Sequence, residues 1–69
     1  MVEITRSDEH EKEGRKYYHV HFFDVDSGSA GNCFVSALYL EKLTRGVSEG
    51  KTLNIGYDRK SKSNFLYLK

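Results

Sequence analysis

His19 and His21 stand two residues apart within Lys16-Tyr-Tyr-His-Val-His-Phe-Phe-Asp-Val25. On an extended chain, imidazoles at that spacing leave from one face and could share a metal ion. A third ligand would have to come from elsewhere: His10, Asp24 or an acid between Ser7 and Gly14. Two ligands without an evident third do not make a site, so no metal and no cofactor are expected. As surface histidines flanked by aromatics, the pair would stack and donate hydrogen bonds.

The same stretch carries a second kind of chemistry. A strand sends alternate side chains to opposite faces. Tyr17, His19, His21 and Phe23 therefore share one face, and Tyr18, Val20 and Phe22 the other. A small domain buries one of these faces, which leaves the second as a binding platform. Phe65 and Tyr67 form another outward pair if Leu66 and Leu68 face the core. Arg59, Lys60 and Lys62 lie between the last two apolar runs, and Arg15 and Lys16 open the long one. Aromatic faces stack on bases at roughly 1–3 kcal/mol each while cations track phosphates, which is the combination that single-stranded nucleic acid binding needs.

Other motifs carry less. Gly46-Val-Ser-Glu-Gly-Lys-Thr52 has three residues between its glycines where a phosphate-binding loop needs four, and an alternating run follows it instead of a helix. A turn entering a strand explains Gly50. Asp24-Val-Asp-Ser-Gly28 opens like a calcium loop, but Gly28 and Val35 occupy two positions that must supply oxygen. Cys33, at the head of an apolar run, reads as a buried structural thiol. A nucleophile needs an oriented base, and acid–base catalysis needs carboxyls in an apolar setting. Neither is legible, and the reading is non-enzymatic.

These residues must be held by a small number of elements. Val2 to Arg6 alternates and suits a first strand. Ser7 to Gly14 is polar and charged and reads as a loop, or as part of an irregular hairpin. Lys16 to Val25 is the second strand, and Asp26-Ser-Gly-Ser-Ala-Gly-Asn32 has the composition of a loop. Cys33-Phe-Val-Ser36 begins a third strand. Alternation could carry that strand to Leu40. The favoured alternative is a helix over Ala37–Arg45, with Ser36 as N-cap, Gly46 at C′, and Leu40, Leu43 and Val47 on one face. Lys51–Asp58 and Asn64–Lys69 alternate as the last two strands around a basic turn, Arg59–Ser63.

The predicted fold is one β-rich α+β domain over residues 1–69: a small five-stranded antiparallel barrel, OB-like in element order, with its helix between strands three and four. An SH3-like barrel or an open sheet would share much of this pattern. The expected core is Tyr18, Val20, Phe22, Leu53, Ile55, Leu66 and Leu68.

Composition sets the remaining bounds. Sixty-nine residues support one modest core. A single cysteine excludes an internal disulfide. Without a secretory signal or a membrane-length apolar run, the expected location is a reducing cytoplasm, with no membrane partner. Residues 1–26 carry seven acids and four bases, and residues 27–69 carry three acids and seven bases. The net charge of +1 therefore hides an asymmetry.

The expected function is binding of single-stranded nucleic acid, with Tyr17, His19, His21, Phe23, Phe65 and Tyr67 stacking and Arg59, Lys60 and Lys62 at the rim. Against it stand the acids Asp8, Glu9, Glu11 and Glu13, which should repel phosphate. The rival is a protein-interaction or inhibitor module that blocks a partner, or forms a homodimer, through the same aromatic face.

Overall fold

The computed structural model describes residues 1–69. Its elements run β1 (Val2–Lys12), β2 (Arg15–Asp24), β3 (Ser29–Ser36), α1 (Ala37–Ser48), β4 (Leu53–Asp58) and β5 (Ser63–Leu68). Five strands and one helix between β3 and β4 match the predicted order. The strands form two antiparallel sheets, β1-β2-β3 and β4-β5, and no ladder of hydrogen bonds closes them into a barrel. β3 runs close to β5, and β1 close to β4.

The first hairpin differs most from expectation. Ser7 to Lys12 takes the hairpin alternative and not the loop: it is strand and pairs with β2 to its end. Both faces of this part of β1 are polar, so it lacks the apolar alternation that marks a half-buried strand. Glu13 and Gly14 both have positive φ, the geometry of a two-residue hairpin turn whose twist matches its strands. One irregularity interrupts the ladder. Ile4 pairs with Phe22 and Arg6 with His21, so Thr5 is a bulge, and its hydroxyl donates to the His21 carbonyl at 3.3 Å.

The loop before β3 is shorter than its composition implies. Ser29, Ala30, Gly31 and Asn32 are paired strand residues. Gly31 sits opposite Phe22, and a Cβ there would stand 2.7 Å from the ring. This glycine makes room for an aromatic side chain and is not a hinge. The turn itself is closed by Asp24, whose carbonyl accepts from Gly28 N–H at 2.8 Å and whose carboxylate accepts from Asp26 N–H at 3.0 Å. That backbone hydrogen bond holds the Asp24 carboxyl below its ordinary pKa.

The helix starts as predicted, with Tyr39 N–H donating to Ser36 Oγ at 3.2 Å. It ends later than predicted. Gly46 lies inside the helix, not at C′. Gly50, at φ +88°, takes that position, with Gly50 N–H bonded to the Val47 carbonyl at 3.0 Å and Lys51 N–H to the Gly46 carbonyl at 3.0 Å. Gly46 is buried because Leu68 packs directly on it, where a Cβ would collide.

The core is Val2, Val20, Phe22, Cys33, Val35, Leu43, Leu53 and Leu66. Tyr18, Leu40, Ile55 and Leu68 pack against it half-buried, which makes three of the seven predicted core residues peripheral. Tyr57 continues the alternation of Leu53 and Ile55 but lies beyond the core and is exposed. The Tyr39 hydroxyl donates to the Leu66 carbonyl and ties the helix to β5.

Burial pushes the Cys33 thiol above its ordinary pKa. Little thiolate is therefore present near neutral pH, and the sulfur is screened by the core. Native protein is expected to react with iodoacetamide at pH 8 far more slowly than protein in denaturant. Equal rates, followed by intact mass, would contradict this burial.

Candidate functional site

The register of the first sheet assembles a layer of rings on its outer face. Residues paired across an antiparallel ladder share a face. His10 pairs with Tyr17, Asp8 with His19, and Arg6 with His21. On the other side of β2, Phe34 pairs with His19 and Asn32 with His21. His10 stacks on Tyr17 with ring centroids 5.4 Å apart. Tyr17 lies 5.9 Å from Phe34, Phe34 stacks on His19 at 4.5 Å and 16°, and His19 lies 4.4 Å from His21. Five rings thus form one connected group across three strands.

Phe34 is central to this group and was not foreseen as a site residue. It is 64% exposed, and it lines both shallow grooves that flank the layer. The signal was present: Cys33 and Val35 point inward, so Phe34 points out. The loop-like composition of Ser29–Asn32 hides its place opposite His19.

The predicted site residues fall into separate groups. Tyr17, His19 and His21 belong to the ring layer. Phe23 shares their face but pairs with Glu3 and Ala30, outside the contacts of the layer. Phe65 and Tyr67 form their own pair on β5, 5.8 Å apart, with the Phe65 ring lying over Gly56. Arg59 and Lys60 are exposed in the β4–β5 turn, where Asp58 accepts from Lys60 N–H at 2.9 Å. Lys62 lines one groove with Ala30, Asn32, Phe34 and Asn64. The other groove is lined by Lys12, Glu13, Arg15, Lys16, Tyr17 and Phe34.

Strand alternation also sorts the acids. Glu9 pairs with Tyr18 and Glu11 with Lys16, so both leave from the side opposite the rings, and Glu9 is ion-paired to Lys16 at 3.3 Å. The ring face carries Arg6, Lys12 and Arg15 against Glu3 and Asp8. Asp8 is itself engaged, with Arg6 Nε donating to Oδ1 at 3.0 Å and His21 Nε2 lying 3.8 Å from Oδ2. Of the four acids read from composition, Glu9 and Glu11 therefore face away from the aromatics, Asp8 is paired among them, and Glu13 lines the groove beside Tyr17 and Phe34.

Of the three sources proposed for a third ligand beside His19 and His21, one is in place. Asp24 shares the inward parity of Val20 and Phe22, away from the histidines, and His10 is stacked on Tyr17. Asp8 offers a carboxylate oxygen within 4.8 Å of donor atoms from both histidines, and all three residues are half-buried.

No protein-family model, curated protein or solved structure matches this chain. No helix is long and apolar enough to cross a membrane.

Proposed function

We propose that this chain binds single-stranded nucleic acid on the outer face of β2 and β3, without catalysing a reaction. The observation that carries the reading is the connected ring layer with Lys12 and Arg15 at one end, Lys62 beside Phe34, and Glu9 and Glu11 turned away. Bases stack on Tyr17 and Phe34, and Lys12, Arg15 and Lys62 follow the phosphates. Phe65 and Tyr67 extend the path along β5, and Arg59 and Lys60 sit at its rim. The element order, and the approach of β3 to β5, support an OB-like reading with an open seam in place of full closure. In such folds the second and third strands form this surface. A reducing cytoplasm suits the single buried thiol.

Fluorescence anisotropy of a labelled single strand across a salt series tests this. Binding is expected at low salt, with log K falling against log salt at about −0.7 per phosphate contacted. Absence of binding at low salt, or affinity indifferent to salt, would rule the reading out.

The 64% exposure of Phe34 also favours a second reading, because a ring this open is what a protein partner or a second copy would cover. A dimer by sedimentation equilibrium that dissociates on Phe34→Ala, without oligonucleotide binding, would select it.

A further inference from the structure

We infer that Asp8, His19 and His21 form a binding site for a divalent transition-metal ion, with zinc the best match to the donors. Two imidazoles two apart on β2 meet a carboxylate delivered from β1 by the register, Asp8 opposite His19. Their donor atoms all lie within 4.8 Å of one another. Tetrahedral zinc with ligands near 2.0–2.1 Å needs donors about 3.3 Å apart, a closure within reach of side-chain torsions on a fixed sheet.

Supporting contacts around the three residues suit the same purpose. The Asn32 Oδ1 lies 3.1 Å from His19 Nε2. As an acceptor it keeps the proton on Nε2 and leaves the Nδ1 lone pair for a metal. Arg6 engages Oδ1 of Asp8 and leaves Oδ2, the oxygen nearest His21, free to ligate. The Phe34 ring stacked on His19 fixes the imidazole plane and shields one side of the site. Three protein ligands on a half-exposed face leave the fourth position open to water or to an incoming phosphate oxygen. Imidazole and carboxylate donors with no thiolate select zinc, cobalt(II) or nickel(II) over magnesium or calcium. The site lies inside the ring layer, but it does not depend on nucleic acid binding there.

The test is titration of the untagged chain with Co²⁺ alone, in a non-chelating buffer, followed by visible d–d absorption. Saturable bands at one equivalent are expected. His19→Ala and His21→Ala should each abolish them, and Cys33→Ser should leave them intact. Asn32→Ala should weaken binding about 10–100-fold, as loss of a supporting partner does. Zn²⁺ titration of the wild-type chain by NMR provides a reading that needs no variant: the ring resonances of His19 and His21 should move together, with those of His10 as an internal reference. Bands that survive either histidine substitution, bands that vanish in Cys33→Ser, or zinc shifts no larger at His19 and His21 than at His10 would overturn the site.

Discussion

Phe22→Ala is expected to unfold the domain, while Phe23→Ala leaves it folded. Phe22 is 2% exposed and sits over Gly31, where any side chain would collide with its ring. Truncation removes the ring and leaves a void, and Gly31 has no side chain to fill it. Phe-to-Ala changes in cores cost about 3–5 kcal/mol. A chain of this length holds roughly 3–10 kcal/mol in total, at about 0.05–0.15 kcal/mol per residue. Phe23 leaves from the opposite face and is 37% exposed, so its loss should cost about 1–2 kcal/mol. Urea denaturation followed by circular dichroism measures both. If Phe23→Ala proved the more damaging, the inward face of β2 would be the other one.

Phe34→Ala is expected to have the largest effect on oligonucleotide affinity, about 1–3 kcal/mol, or roughly 5- to 150-fold. The ring is 64% exposed, touches both Tyr17 and His19, and borders both grooves. Tyr17→Ala should follow closely. Lys62→Ala should cost less and flatten the salt dependence by about one phosphate. Tyr57→Ala is the control: the residue is 59% exposed, but it leaves β4 on the side opposite that of Phe65's partner Gly56. Anisotropy titrations at one low salt concentration compare them, with melting temperature as the check on folding. Equal losses for Phe34→Ala and Tyr57→Ala would mean that binding is not directed to this face.

What could be read from the sequence was what depends on neighbours in the chain. The N-cap at Ser36 and the helix after it are local, and so is the inward set Val20, Phe22, Leu53 and Leu66. Gly46 was misplaced because a glycine that ends a helix and one that admits Leu68 look alike until β5 is docked. Ser7–Lys12 looked like loop because a strand exposed on both faces has no apolar period. The site was less legible for a related reason. Asp8 and Phe34 come to His19 only through register, and both registers run through segments with the composition of loops. Val2 and Val35 entered the core in the same way, from strands whose partners were not evident.

The Thr5 bulge has a consequence for how this chain tolerates change in length. Were β1 to pair without it from Ile4 onward, Arg6, Asp8 and His10 would turn inward, and Glu9 and Glu11 would flank the rings. A single-residue insertion between Arg6 and Lys12 that slid the ladder by one would produce the same exchange. Composition, isoelectric point and hydropathy profile would barely register it. Yet the surface offered to a phosphate would reverse sign, and the carboxylate opposite His19 would be gone. Among variants of this protein, the spacing from Thr5 to His19 should therefore be guarded more strictly than the identity of most residues between them.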